Sequence, residues 1–268
     1  MLTILFLLVT CTFIFVCFIS HYEQKQIKNQ KINTASIHLR AWRHLMWLFQ
    51  QHRGKSTAFL NGDETTQKDL LGLEAKITEG INSLKHAPSK NRNWQATIQL
   101  WQELSKHWQQ KSVEDNFKLH NTLIKQLIFA IEDEISWMAS FRSASKSSDF
   151  EQTTISLLNT IEFVGQTRAI GTSVTASRKC ESITKIRLCY LSQKLQQTAE
   201  SLQEKDVQSR QKKALITAII QQVQERLLPA QNLMTTKAWF DLCTDSIDGL
   251  YTHFDKSIDL GERIGRGQ

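Results

Sequence analysis

Proline is nearly absent: only Pro88 and Pro229 occur in 268 residues. Glycine is also sparse, and four of the ten glycines fall in the last 20 residues, so most of the chain carries few breakers. With abundant Gln, Lys, Leu and Ala, this scarcity points to long helices and away from a turn-rich sandwich or barrel. No stretch alternates apolar and polar residues as a half-buried strand does. The chemistry-bearing motifs are missing too. There is no phosphate-binding loop, no Gly-rich dinucleotide fingerprint and no H-E-x-x-H pattern. The eight histidines form no pair at metal-binding spacing on one helix. Cys180, Cys189 and Cys243, with Cys11 and Cys17 near the start, show no zinc-ligand spacing and read as buried free thiols. An enzyme is therefore not expected, nor a metal or cofactor. The net charge of +7 is dispersed among acids. Clusters as short as Arg210, Lys212 and Lys213 read as a solvated helix face, so no nucleic acid is expected as a partner.

Residues 2–19 are 18 in a row without a charge. As a helix they cover about 27 Å, close to a bilayer core. A cleaved signal peptide would need a basic start, a shorter apolar core and a small-x-small cleavage site. Ile19-Ser20-His21-Tyr22 is a poor site. An uncleaved single-pass anchor in a lipid bilayer is the preferred reading. Lys25, Lys28, Lys31 and Arg40 follow the span against the single acid Glu23, and this bias favours a cytoplasmic domain.

Apolar residues at helical spacing then predict eight helices. The first runs from about Thr34 to Leu60, through Leu39, Trp42 and Phe49, and stops at Asn61-Gly62. The second covers Thr65 to Leu84, with a loop over His86–Asn91. Trp94, Ile98, Trp101, Ser105 and Trp108 stripe one face of the third, as core packing. The fourth covers Val113 to Phe141. After a Ser/Lys-rich linker from Ser143 to Asp149, four more helices span about 149–176, 181–203, 209–228 and 235–264, with a frayed end from Gly261. Two helical bundles, or one long double bundle, fit this count.

Two arginines break the pattern. Phe49, Arg53, Ser56 and Leu60 share one helix face, as do Leu157, Ile161, Val164, Arg168 and Gly171. Each arginine sits where a core residue belongs. The surroundings match as Gln-x-Arg-small-x-small, at Gln51 to Ser56 and at Gln166 to Gly171, a weak internal repeat. A buried guanidinium needs a partner. A small planar oxyanion held between two such forks is one solution. An internal carboxylate is the other, and Glu162, on the flank with Gly165, is the candidate. His52, next to Arg53, reads as an exposed surface histidine rather than a pH-sensitive donor to the site.

The same residues carry a family resemblance. The run Leu48 to Leu60 resembles the first signature of the NIT domain, the nitrate- and nitrite-sensing domain of bacterial receptors, with His52 where Glu usually precedes the Arg. The run Glu162 to Gly171 is similar to the second signature, with Thr167 at the equivalent place. Residues 238–250 resemble the closing helix, with Ser246 where a basic residue is common. The resemblance implies an all-α fold of two four-helix bundles, about eight helices, which here follow the N-terminal transmembrane helix read from residues 2–19. The chain is then expected to divide into an anchor (1–20), a juxtamembrane segment (21–33) and a sensor domain (34–264) with halves 34–142 and 149–264. It implies nitrate or nitrite as ligand and matches Arg53, Arg168, Gly54 and Ser56 to the binding motifs. The expected protein is a bacterial inner-membrane sensory module, with no output module of its own, that signals through an unidentified partner protein. A homo-oligomer stays open, and so does the alternative of a helical scaffold that has kept the fold without the ligand.

Overall fold

The computed structural model describes residues 2–84, 92–140, 144–202 and 207–266, and the side chains of 2–5, 7–9, 144–147, 208 and 264–266 lie outside that description. Among the described residues the fold is all-α, with eight α-helices and no strand. They are α1 (Leu2–Leu60), α2 (Gln67–Ser83), α3 (Arg92–His107), α4 (Val113–Ala139), α5 (Ala144–Ser177), α6 (Ser182–Ser201), α7 (Val207–Gln222) and α8 (Thr236–Arg266).

Three expectations are corrected here. The first helix after the apolar run was expected to start near Thr34, but α1 is continuous from Leu2 to Leu60. Residues 2–60 contain no proline and a single glycine, Gly54, and the polar stretch from Glu23 to Lys31 is made of good helix formers. Intrahelical hydrogen bonds continue through it whether or not one face is apolar. The break comes where expected, at Asn61-Gly62, with Gly62 at φ 99°, a conformation that glycine adopts without strain. The linker from Ser143 is mostly absent: residues 141–143 lie outside the described set, and α5 starts at Ala144. The end expected to fray from Gly261 is helical to Arg266. The loop expected at His86–Asn91 lies outside the described residues.

The segment before Ile32 projects from the body of the protein over residues 11–27. Residues 11–27 are exposed, and burial on α1 starts at Ile32. The anchor expected over residues 1–20 finds no support among the described residues, where no helix is long and apolar enough to cross a membrane. Part of that run, residues 1–5 and 7–9, has side chains outside the description.

From Ile32 onward the helices pack in two sets. In one, α1 lies against α2 and α4, and α3 lies against α4; in the other, α5 lies against α6 and α8, and α7 bridges α6 and α8. The sets meet along α1, α4, α5 and α8. Trp94, Trp101 and Trp108 of the predicted stripe are buried in the first set, as core rather than ligand cage. At the projecting end of the seam, Arg40 pairs with Asp259 and Arg43 with Asp255, tying α1 to α8.

Candidate functional site

Both out-of-pattern arginines are buried where α1, α4, α5 and α8 meet. Arg53 is 0% exposed and Arg168 is 1% exposed. Helical spacing brought each onto an inward face, and α1 and α5 then set them beside one another.

Their partners differ in kind. Arg53 Nη1 donates to Glu162 Oε1 at 2.6 Å, and Nη2 donates to Oε2 at 3.3 Å. Nη1 also donates to Asn121 Oδ1 at 2.6 Å. Gln50 Nε2 and Gln166 Nε2 donate to the same Glu162 carboxylate at 2.8 and 2.9 Å. This is a buried, charge-assisted pair with its oxygens well supplied by donors. The expected internal acid is therefore present, but it serves Arg53 on another helix rather than its neighbour on α5. Residues 162 and 168 are six apart, which turns them to different sides of the helix.

Arg168 has no carboxylate hydrogen-bonded to it among the described residues. Nη1 donates to Thr244 Oγ1 at 3.0 Å and Nη2 to the Gln50 carbonyl at 3.1 Å. Among the described residues its Nε has no acceptor, and neither does Nε of Arg53. The guanidinium lies over the Phe240 ring, 4.6 Å from its centroid. Burial, with the positive field of Arg53 added, lowers the Arg168 pKa to about 10, against smaller opposing effects of Cys243, Tyr251 and Asp248. Burial also holds the thiol of Cys243 and the phenol of Tyr251 in their neutral forms by raising both pKa values. Of the other thiols expected in the interior, Cys180 is only partly buried and Cys189 is exposed. Tyr251 donates to Gln50 Oε1 at 3.2 Å. Gln50 thus links the two arginines: its side chain serves Glu162 and its carbonyl serves Arg168.

The small residues act through neighbours. A Cβ at Gly54 would lie 3.2 Å from Phe240, so the glycine lets that ring lie between α1 and the Arg168 guanidinium. A Cβ at Gly165 would lie 2.8 Å from Arg53 Nη2, so the guanidinium rests on bare α5 backbone. A Cβ at Gly171 would lie 2.4 Å from Trp239, whose indole N–H donates to the Arg168 carbonyl at 3.0 Å. Ser56 points elsewhere. It accepts from Asn116 Nδ2 at 2.9 Å and donates to the Arg53 carbonyl at 3.2 Å, packing α1 on α4. The sequence reading did not single out Gln50, Asn121, Thr244, Phe240 or Tyr251. Gln50, Phe240 and Thr244 lie within the quoted motif runs, with no role given to them there; Asn121 and Tyr251 lie outside those runs.

His52 is a further correction: it is completely buried rather than on the surface. It stacks on His120, with ring centroids 5.0 Å apart, and meets the rings of Trp101 and Trp108 edge-on. His120 Nδ1 faces the Asn116 carbonyl at 2.8 Å and must carry a proton there. Its Nε2 then accepts from His52 Nδ1 at 2.8 Å. That leaves His52 Nε2 facing Glu74 Oε1 at 3.4 Å, and Trp108 donates to the same oxygen at 2.8 Å. Burial lowers the pKa of both histidines, while Glu74 partly restores that of His52. A histidine whose folded pKa lies below its unfolded value binds its proton more readily in the unfolded chain, so stability falls as pH drops from about 6.5. Melting temperature should decline between pH 7.5 and 5, and a His120→Gln variant should show a shallower decline. An equal slope in the two proteins would remove the histidine pair as its cause.

The sequence matches the profile of the family described as "Nitrate and nitrite sensing" (NIT) over residues 44–257. No curated protein and no solved structure gave a match.

Proposed function

Because the chain belongs to the nitrate- and nitrite-sensing NIT family, we propose that it is a membrane-tethered sensory module that binds a small planar oxyanion between Arg53 and Arg168. The observation that carries this reading is Arg168: a buried cation whose acceptors among the described residues are all neutral and whose Nε has none. Burying such a charge unpaired is expensive, and an anion bonded to it would offset the cost. Nitrate and nitrite are planar and accept in-plane hydrogen bonds, which suits guanidinium forks. Gly54 contributes by making room for Phe240, and Ser56 by holding α1 on α4. NIT is a sensory rather than a catalytic family, and the reading assigns no reaction.

Bound at the meeting of α1, α4, α5 and α8, the anion would favour the packing of the two helix sets that holds it best. A partner protein reading that packing at the seam of α1 and α8 would receive the signal. The two sets then act as bundle halves of one sensor domain, residues 34–264. The tether reading draws on the 18 uncharged residues from Leu2 to Ile19 and on the exposure of Phe13, Ile14, Phe15, Val16 and Phe18. The lysines that follow it place the domain, in this reading, on the cytoplasmic side of a bacterial inner membrane.

One observation favours a second reading. Arg53 already holds an internal acid, as a scaffold without a ligand would require. Thermal melts in nitrate, nitrite and chloride at equal ionic strength separate the two. A sensor gains stability by RT ln(1 + [L]/Kd) in the first two salts. A folded protein that melts at one temperature in all three, at millimolar concentration, is a scaffold.

A further inference from the structure

A cavity of about 360 Å³ opens between α4, α5 and α6. Phe117, Asn121, Gln166, Ile170, Arg187 and Tyr190 are among the residues that line it. Three of these also touch the Arg53–Glu162 pair. Asn121 accepts from Arg53, Gln166 donates to Glu162, and Phe117 lies 5.8 Å from the Arg53 guanidinium. The cavity therefore ends on the side chains that hold the pair together. Its outer part carries cations, with Lys118 and Arg187 both ion-paired to Glu114. A basic surround draws anions toward a mouth.

We infer that this cavity is the route by which the anion reaches the arginines, and that Glu162 is a built-in competitor which the anion displaces from Arg53. The inference rests on the sensing reading and specifies how that site is regulated. A carboxylate and nitrate offer a guanidinium the same planar pair of oxygens, so one can replace the other on Arg53 without moving the arginine. Both are monovalent, so Arg53 keeps one anionic partner, while the displaced Glu162 carboxylate stays charged and turns toward the water of the open cavity. Gln50 and Gln166, which now donate to Glu162, would donate to the incoming oxygens instead. Glu162 sits on α5 one turn before Gln166, which lines the cavity, and its release would free the tie between α1 and α5 that the Arg53–Glu162 pair makes. The binding event is thereby coupled to the contact between the two helix sets. Displacement also sets the working range, because a site held closed by an internal ligand binds its external one more weakly by the fraction of time it is open.

Two substitutions that keep Arg53 paired test this with nitrate titrations of the full chain, read by calorimetry. Glu162→Gln keeps the shape and removes the competing charge, so nitrate should bind at least about tenfold more tightly. Asn121→Asp places a second carboxylate against the same Nη1, so nitrate should bind more weakly than to the wild type. Should Glu162→Gln fail to fold, the weakening in Asn121→Asp still decides. A wild type that binds nitrate, with Glu162→Gln equal to it or weaker, or with Asn121→Asp unweakened, overturns the competitor and leaves the sensing reading intact. Binding by Glu162→Gln alone supports the competitor. Absence of binding in all three proteins overturns both readings.

Discussion

Replacing Arg53 with methionine should cost about 3–5 kcal/mol, a fall in melting temperature of roughly 6–20 °C, because it strands the buried Glu162 carboxylate. The amides of Gln50 and Gln166 still donate to that carboxylate and hold the loss toward the lower end. The same replacement at Arg168 should leave stability unchanged or raise it by about 1–4 kcal/mol. No carboxylate is abandoned there. Thr244 Oγ1 keeps its own bond to the Phe240 carbonyl, and the repulsion between the two guanidinium groups disappears. Thermal or urea unfolding of the two variants checks the pair. In the proposed site both lose the nitrate response, so Arg168→Met should be a protein that is at least as stable as the wild type and unresponsive to nitrate. An equal loss of stability in the two variants would show that Arg168 is internally paired as Arg53 is.

The second large effect is expected at Gly171. Alanine is normally the better helix former by about 1 kcal/mol. At Gly72, where a Cβ would meet nothing within 4 Å, Gly72→Ala should stabilise by about 0.5–1 kcal/mol. At Gly171 the added methyl would lie 2.4 Å from Cε2 and Nε1 of the Trp239 indole. That ring is rigid, 0% exposed and bonded through its N–H to the Arg168 carbonyl, so it cannot yield without repacking. Gly171→Ala should therefore destabilise by about 1–3 kcal/mol despite the helix propensity, the usual range for overpacking. Because Trp239 is next to Phe240, which lies over the Arg168 guanidinium, the shift should also weaken nitrate binding. A stabilised Gly171→Ala protein would mean that α8 does not lie against α5 as described.

Much of this was legible because helices declare themselves locally. Apolar residues three and four apart marked the inward faces of α2 to α5, and the same spacing put Arg53 and Arg168 on inward faces. What stayed illegible depends on other helices. Nothing near residue 52 reveals that His120, 68 positions later, offers the ring nitrogen that makes a buried histidine tolerable. Glu162 was visible as the acid able to satisfy an arginine, yet its choice of Arg53 over Arg168 depends on how α1 docks on α5. Ser56 shares a signature with Arg53, but one turn of helix is enough to aim it at Asn116 instead. The length of α1 escaped for a different reason. A polar run such as 23–31 shows no apolar face, and periodicity cannot see a helix that packs against nothing.

The most direct test of the anion site is a structure of the protein determined in the presence of nitrate. The account predicts a planar anion hydrogen-bonded to Arg168 and to Arg53, with Glu162 turned away from Arg53. An intact Arg53–Glu162 pair, with no anion on either arginine at nitrate concentrations that saturate any binding seen in solution, would contradict it.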